Sequence, residues 1–346
     1  MRFIPLKLHL EIFRMSPPVT RQHNQRPGRP KADKDLLSKI QSVNYNPIFV
    51  LGNHRSGTTI LYKLLALTGS FNIVNLYHTL RYDELLWHHQ KGTSDLEREQ
   101  LNRKLSALGI RNRIIDEMEV NADYPDEYCF VLITRKRTFQ ITNRSWPHFD
   151  EMCRKIQFIS DPDRQLLLKN PFDYGNFMTV KKFVPETKFI FIHRHPVNVI
   201  NSALNAVRTN WQKGNPLNEL YSSFYTLLQR SWLFPRFMRW ATSPNSRIQL
   251  GKRFIIRSLR KHENYFMHNI ERLMPDHYIS VRYEDLIEDP NRIINRILNF
   301  LEIETQVKRD YRRYIQPRDI RLFTEVKRQE QKIHQMFQDV LSYHGY

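Results

Sequence analysis

The segment Asn46–Ser70, NPIFVLGNHRSGTTILYKLLALTGS, constrains the fold more than any other part of the chain. Its first part, Pro47–Leu51, is a short apolar run that is typical of a strand with both faces buried in a parallel sheet. Gly52 ends this run, Gly57 follows, and the next residues show the apolar spacing of a helix. A strand, a glycine turn and a helix together predict a cradle in which backbone N–H groups and the helix N-terminus bind an anion without a metal.

The residues of the turn argue against a magnesium-dependent nucleotide triphosphatase. Those enzymes carry G-x-x-x-x-G-K-[ST], in which the lysine reaches the outer phosphates. Gly52 and Gly57 have that spacing, but Thr58 stands at the lysine position and the cation lies at Arg55. Phosphoryl transfer with magnesium would lack its central charge here.

Composition limits the class of protein and the kind of partner. The 346 residues, 40% of them hydrophobic, can bury a sizeable core, and Cys129 and Cys153 are not expected to make a disulfide framework or a four-ligand zinc site. The net charge of +19 predicts a polyanionic partner, which could be a nucleotide, a nucleic acid or an anionic membrane surface. No apolar run approaches the roughly 20 residues that cross a bilayer, so we expect a cytoplasmic protein, with peripheral membrane contact left open.

The order of predicted elements indicates an α/β domain. Residues 1–35 are expected to form a basic N-terminal helix and a flexible linker, and residues 36–346 the folded domain. Short apolar runs predict further strands at 71–75, 166–168, 188–192 and 277–281. Helical segments separate these strands, which predicts parallel crossover units with ligands bound beyond the carboxyl ends of the strands. Gly52, Lys169 and Arg194 all lie at such ends.

Arg194 and Ser202 form a second candidate phosphate site. Arg194 leaves a predicted strand, Pro196 favours the first turn of a new helix, and Ser202 lies about two turns along that helix. Both side chains can therefore address one phosphate beside the helix.

Two other segments allow more than one interpretation. The acidic turn in NADYPDEYCF, with Asp123, Pro125 and Asp126, has the composition of a helix N-terminal cap. The segment SWLFPRFMRW, residues 231–240, interleaves bulky apolar groups with arginine. Such a segment can lie on a membrane, line an acceptor pocket, or belong to the core with a solvated basic face.

These motifs resemble those of the sulfotransferases that use 3′-phosphoadenosine 5′-phosphosulfate (PAPS) as donor. The G-x-x-R-S-G-T-T turn resembles their 5′-phosphosulfate loop, and FIFIHRHP followed by Ser202 resembles their 3′-phosphate site. LLLKNPFDYGNF resembles their Lys-x-Pro segment, VRYEDLIEDP resembles their Tyr-Glu-Asp-Leu block, and the acidic turn also has a counterpart. The similarity runs from about residue 46 to about residue 304 and is closest to the broad bacterial branch that also resembles tyrosylprotein sulfotransferases.

The resemblance implies a P-loop-like three-layer α/β fold with a central, mostly parallel sheet of about five strands, and helical acceptor-side insertions around 77–160 and 205–275. It also implies in-line transfer of a sulfuryl group from PAPS to a hydroxyl or amine, with a general base and no metal. The residues expected to bind the donor are Gly52, Arg55, Ser56, Gly57, Thr58, Thr59, Arg194, Ser202 and Tyr283. The acceptor, whether a small molecule, carbohydrate, lipid or protein, stays open, as does the oligomeric state.

Sulfuryl transfer needs positive charge at the leaving oxygen, partners for the sulfuryl oxygens, and a base for the acceptor's proton. Arg55, with the loop amides, Thr58 and Thr59, is expected to serve both the bridging oxygen and the sulfuryl oxygens. Lys169 could also approach the bridging oxygen from its strand end. Alignment by spacing with the tyrosylprotein branch makes His78 the candidate base, because histidine titrates near neutral pH. Glu84 is the alternative.

Two other functions stay open on sequence grounds. A nucleoside or nucleotide kinase could share the cradle, although Thr58 replaces its lysine. A nucleic-acid-binding protein would depend on a spread-out basic surface and not on Arg194 and Ser202. Nothing in the sequence resembles a zinc finger or an RNA-recognition sheet, so nucleic acid is the less expected partner.

Overall fold

The structure is a computed structural model. It describes residues 32–346 apart from 114–117, 215, 222, 245, 247, 248, 306, 308 and 316–319. Most of the predicted N-terminal segment, 1–35, therefore lies outside the described residues. Asp33 belongs to the folded body, because its buried carboxylate pairs with Lys155 at 3.0 Å and accepts a hydrogen bond from the backbone N–H of Trp87.

Five strands form one parallel sheet. They are β1 (Pro47–Leu51), β2 (Phe71–Ile73), β3 (Gln165–Lys169), β4 (Lys188–His193) and β5 (Tyr278–Arg282). Their order is β2-β3-β1-β4-β5, and each neighbouring pair is parallel. The chain fills one side of β1 with β2 and β3 and the other side with β4 and β5, which creates a switch point beside β1 where open parallel sheets bind ligands. The predicted parallel sheet of about five strands is confirmed.

Helices cover both faces of the sheet and occupy much of the segments 77–160 and 205–275. The α-helices are α1 (Thr58–Ala66), α2 (Leu76–Leu80), α3 (Leu85–Lys91), α4 (Ser94–Ala107), α5 (Cys129–Lys136), α6 (Trp146–Ile159), α7 (Phe177–Phe183), α8 (Pro196–Lys213), α9 (Pro216–Tyr221), α10 (Ser223–Arg230), α11 (Phe234–Thr242), α12 (Leu250–Asn269), α13 (Tyr283–Glu288), α14 (Pro290–Leu301), α15 (Thr324–Lys327), α16 (Glu330–Met336) and α17 (Gln338–His344). Short 3₁₀ helices occupy Lys34–Ile40, Pro171–Asn176, Ile270–Arg272, Pro275–His277 and Tyr311–Tyr314. Across the part of the chain that the structure describes, no helix is both long and apolar enough to cross a bilayer.

The central strand β1 shows how the three layers hold together. All five of its residues are buried, as its wholly apolar sequence predicts. Phe49 and Leu51 pack into one core together with α6 and α12, whereas Ile48 and Val50 pack into a second core together with α1 and α14. Because successive side chains of a strand point to opposite faces, β1 is fixed from both sides and its carboxyl end presents the following loop in one position.

The two cysteines belong to the interior of the domain. Cys129 and Cys153 are free and buried, the second of them beside Phe49 in the first core. Burial raises the pKa of both thiols well above the ordinary value, which disfavours the reactive thiolate.

Candidate active site

The loop Gly52–Gly57 joins β1 to α1. At each end of this loop there is room only for glycine. A Cβ on Gly52 would lie 2.4 Å from the carbonyl oxygen of Ile192 and 2.6 Å from Oγ of Ser56. Gly57 has a φ of 104°, and a Cβ there would lie 2.3 Å from Cδ2 of Tyr283. The predicted cradle is therefore a tight turn that an added side chain would fill.

Arg55, within the same loop, is fixed by one partner directly after β4 and one partner on α8. It has a φ of 72°, an uncommon value for a residue other than glycine, so its surroundings must hold it there. Its Nε donates a hydrogen bond to Oγ of Ser202 at 3.1 Å, and its carbonyl oxygen accepts one from Nη1 of Arg194 at 3.0 Å. The two candidate phosphate sites of the sequence thus lie side by side.

Tyr283 supports both halves of this arrangement. It begins α13, directly after β5, and its ring packs against Gly57. The guanidinium carbon of Arg194 lies 4.1 Å from the centre of the same ring, within the range of a cation–π interaction. The tyrosine therefore holds Arg194 close to the end of the glycine turn.

Two buried polar atoms at the cradle lack hydrogen-bond partners among the described residues. They are Oγ of Ser56 and Nε of Arg194. Buried polar groups are almost always satisfied in folded proteins, so an unsatisfied donor is a sign of an expected ligand. An anion with acceptor oxygens on both sides of Arg55 would satisfy both atoms. These two donors therefore suit a nucleotide that carries an anionic group at each end.

Lys169 approaches the cradle from β3, the other neighbour of β1. Its side chain is 1% exposed, and Nζ donates a hydrogen bond to Oγ1 of Thr59 at 3.2 Å. Nζ also pairs with Oε1 of Glu127 at 3.0 Å. Thr58 and Thr59 form the first turn of α1, so Lys169 is held at the helix N-terminus rather than in solvent.

The acidic turn before α5 contributes to the site, and its predicted role as a helix cap is wrong. The N-cap of α5 is Tyr128, and no side-chain hydrogen bond caps this helix. Asp126 instead accepts a hydrogen bond from the hydroxyl of Tyr221 at 2.9 Å, and Glu127 reaches Lys169. Burial would raise the pKa of Glu127, but the charge of Lys169 and its hydrogen bond outweigh that effect, so the pKa is lowered and the carboxylate is ionised at neutral pH.

Two other loop residues were missed by sequence reasoning. Asn53 anchors the loop, because its Nδ2 donates a hydrogen bond to Oε1 of Glu263 at 2.5 Å. The ring of His54 lies edge-on to that of Phe172, 4.4 Å between centres. Desolvation, with Glu127 opposing and Arg55 adding to it, lowers the pKa of His54, which keeps the imidazole neutral at physiological pH. No local pattern in the sequence signals either contact.

His78, the predicted base, lies at the start of α2 after the edge strand β2. It completes a capping box: its backbone N–H donates to Oδ1 of Asn75 at 3.0 Å, and its Nδ1 accepts from the backbone N–H of Asn75 at 3.3 Å. Desolvation, with a smaller contribution from Arg98, lowers its pKa to about 3. The hydrogen bonds of His78 with Asn75 cap the helix and do not connect His78 to Lys169. Its catalytic role stays a prediction.

Glu84, the alternative base, occupies the N-cap position of α3 without capping it through its side chain. Its carboxylate lies 3.6 Å from Nε2 of His88, one turn along that helix. Both candidate bases thus lie at the start of short helices, within the segment 77–160. A catalytic role for Glu84 stays a prediction as well.

A group of His193, Glu263 and His344 lies behind the loop and could in principle hold a metal ion. Their nearest ligand atoms all lie within 4.8 Å of one another. The two imidazole rings, however, stack with centres 3.7 Å apart and planes 26° apart, so their nitrogen lone pairs lie in separate, nearly parallel planes and are poorly placed to point at one ion. Glu263 also binds Asn53 and the hydroxyl of Tyr174. The contacts of this group therefore favour a structural role, in which Glu263 supports the loop through Asn53, over metal binding.

A family model described as "Sulfotransferase family" matches residues 47–235 and 215–307. The chain belongs to the sulfotransferase family. The match spans every residue predicted to bind the donor, from Gly52 to Tyr283, and it does not support the kinase or nucleic-acid-binding alternatives. No curated protein matches this sulfotransferase.

Solved sulfotransferases share the fold. The structure is similar to that of sulfotransferase STF9 from Mycobacterium avium, with a TM-score of 0.63 and 15% identity over 90% of this chain and 79% of that one. It is also similar to sulfotransferase STF1 from Mycobacterium tuberculosis H37Rv, with a TM-score of 0.54 and 15% identity over 88% of this chain and 80% of that one. At this level of identity the similarity confirms the fold and leaves the acceptor open.

Gly57→Ala tests the packing of the cradle. We expect the variant to lose about 2 kcal/mol or more of unfolding free energy, because the new Cβ meets Tyr283 in addition to the strain of a positive φ. The matched control is Gly69→Ala, which has a φ of 73° and open space around its Cβ, and which therefore pays only the backbone strain. Urea unfolding of both variants measures the difference. Equal losses would show that Tyr283 does not close the cradle.

Proposed function

We propose that this sulfotransferase moves the sulfuryl group of PAPS to a hydroxyl or amine of its acceptor. The observation that carries the proposal is the contact between the two anion-binding elements. Arg194 and Ser202 both hydrogen-bond to Arg55 of the glycine loop. A single ligand with an anionic group at each end would therefore be bound at both ends in one pocket, which is the chemistry of PAPS and of its product, adenosine 3′,5′-bisphosphate.

The proposed binding roles follow from the position of each group. The loop Gly52–Gly57 would hold the 5′-phosphosulfate through backbone N–H groups other than that of Ser56, which donates to the carbonyl of Asn53. The hydroxyl of Ser56 and the N-terminus of α1 would add to this site, with Thr58 and Thr59 lining the first turn. Arg194 and Ser202 would hold the 3′-phosphate. Tyr283 supports the guanidinium of Arg194, which lowers the entropy that this side chain loses when a phosphate binds.

The catalytic roles depend on the cations around the cradle. The bound donor supplies a sulfuryl group whose transfer leaves negative charge on the bridging oxygen. Lys169 is held beside α1 by Thr59 and Glu127, where its ammonium can offset that charge. Arg55 lies in the loop itself and can serve the sulfuryl oxygens. Because Arg55, Lys169 and Arg194 supply positive charge from three sides, we include metal independence in the proposal.

For the proton of the acceptor we propose Glu127 as the base in place of His78. Glu127 is ionised at neutral pH and lies against Lys169, so an acceptor aligned with the donor would meet its carboxylate. His78 is 5% exposed, and its Nδ1 already accepts a hydrogen bond within α2.

Arg194→Ala tests the assignment of the 3′-phosphate. We expect it to weaken binding of adenosine 3′,5′-bisphosphate by about 2 kcal/mol, or thirtyfold, because a charge-assisted hydrogen bond is lost. Binding of adenosine 5′-monophosphate, which lacks the 3′-phosphate, should change far less. Titration calorimetry in EDTA measures both ligands, and EDTA itself should not weaken binding.

The comparison of the two ligands separates recognition from damage to the loop. Equal losses for both would mean that Arg194 acts only through its bond to the carbonyl of Arg55, and unchanged affinity for the bisphosphate would contradict the assignment. Arg164→Ala, at an exposed site before β3, is the control for the loss of one positive charge.

Glu127→Gln tests the base. We expect the turnover number to fall by about a hundredfold or more while bisphosphate affinity is kept, because the amide cannot take a proton. The matched variant is His78→Gln, which preserves the capping box because glutamine can also accept from the N-cap backbone, and which should keep turnover. A large loss of turnover in His78→Gln together with an active Glu127→Gln would return the role to His78.

The acceptor itself can be sought with sulfur-labelled donor. Incubation of the protein and labelled PAPS with cell extract, followed by identification of the labelled product, would name the acceptor class. No labelled product with any extract, in a protein that binds the bisphosphate, would argue against transfer as its activity.

A further inference from the structure

A surface formed by α11 and its neighbours exposes large apolar side chains to solvent. We call it the aromatic surface. Its members, with their exposed fractions, are Trp232 (72%), Leu233 (67%), Phe237 (49%), Trp240 (48%) and Phe254 (55%). Single exposed apolar residues are common in soluble proteins, but a contiguous group marks a binding surface.

The orientation of α11 shows that these residues form a group. Leu233, Phe237 and Trp240 are spaced four and three apart, so they share one face of the helix, and the rings of Phe237 and Trp240 lie 6.0 Å apart. The opposite face carries the buried residues Pro235 and Thr242. An ordinary surface helix turns its apolar face to the core, whereas α11 presents large apolar side chains to solvent.

Positive charge surrounds this apolar face. Between Glu219 and Glu263 the sequence contains nine lysines and arginines and no acidic residue. The guanidinium carbon of Arg236 lies 5.3 Å from the ring centre of Trp232, and Arg253 is exposed on α12, which packs against α11. Apolar rings with a basic surround match the interfacial zone of a bilayer, where aromatic rings lie at headgroup level and cations meet lipid phosphates.

We propose that the aromatic surface docks this protein onto the surface of a bilayer that contains anionic lipid. The aromatic and leucine side chains of α11 enter the boundary between headgroups and acyl chains, and the surrounding arginines bind lipid phosphates. The positive charge of the aromatic surface favours anionic lipid over a second copy of the chain as its partner, because two copies meeting through this surface would bring like charges together. The inference is independent of the proposed donor chemistry, since it involves none of the donor-binding residues.

Sedimentation of the full chain with vesicles tests the proposal. Wild-type protein is expected to bind vesicles of phosphatidylcholine mixed with phosphatidylglycerol, and to bind phosphatidylcholine alone much more weakly. Trp232→Ser/Phe237→Ser/Trp240→Ser should lower partitioning by about tenfold or more, because it removes the buried apolar area. The matched control is Leu96→Ser/Leu108→Ser, which alters two leucines, each 50% exposed, on and just after α4, and which should bind as wild type.

A second pair of variants tests the charge. Arg236→Gln/Arg253→Gln should weaken binding to anionic vesicles by about tenfold, on the scale of about 1 kcal/mol for each cation near the membrane. Arg103→Gln/Arg313→Gln removes the same charge from exposed positions elsewhere and should bind as wild type. Retained adenosine 3′,5′-bisphosphate binding and thermal unfolding show that each variant is folded.

Fluorescence quenching by brominated acyl chains locates the contact. Anionic vesicles with brominated lipid are expected to quench tryptophan emission in wild-type protein, and Trp232→Phe/Trp240→Phe should remove most of the quenched signal. The proposal is overturned by wild-type protein that does not bind anionic vesicles, or by a triple serine variant that binds as wild type. It is also overturned if the surface instead joins two copies, seen as a dimer that the triple variant abolishes without any vesicle binding.

Discussion

The architecture of the site depends on the hydrogen bonds that tie the glycine loop to the end of β4. Arg55 donates to Ser202 and accepts from Arg194, so its side chain and its backbone are both fixed. This explains how a residue other than glycine keeps a φ of 72°. Because β1 is buried on both faces, it fixes the position of the loop that follows it. Arg194 and Ser202 therefore reach Arg55 only because the parallel sheet places the end of β4 beside the end of β1. The spacing between the two proposed anion-binding elements is thus set by the spacing of β1 and β4.

The distribution of charge follows from the same strand order. Of the strands beside β1, β3 ends in Lys169 and β4 is followed by Arg194, which places a cation on each side of the cradle. Glu127 partly compensates the buried ammonium of Lys169, which keeps a charge in a place where an unpaired one would be very costly. An ionised carboxylate beside the proposed donor site therefore has a structural reason, and we propose that the same geometry makes it available to an acceptor. Glu127 therefore combines a structural role, as the partner of Lys169, with its proposed chemical role as the base.

Sequence reasoning succeeded where the information is local. The wholly apolar β1 and the glycine turn predicted the central strand and the cradle, and Pro196 with Ser202 predicted a helix leading away from Arg194. It failed where partners are distant in the chain. The acids of the turn before α5 have the composition of a cap, and only the fold shows that buried Lys169 and Tyr221 compete for them more strongly. The segment 231–240 was ambiguous for a similar reason, because which face of α11 packs inward depends on its neighbours.

The central claim is that one pocket binds a nucleotide by two anionic groups. A crystal structure with adenosine 3′,5′-bisphosphate tests it most directly. The account predicts the 5′-phosphate within hydrogen-bond distance of the loop amides and Oγ of Ser56, and the 3′-phosphate on the guanidinium of Arg194 and the hydroxyl of Ser202. A bisphosphate bound elsewhere, or bound in the cradle with its 3′-phosphate in solvent, would contradict the account.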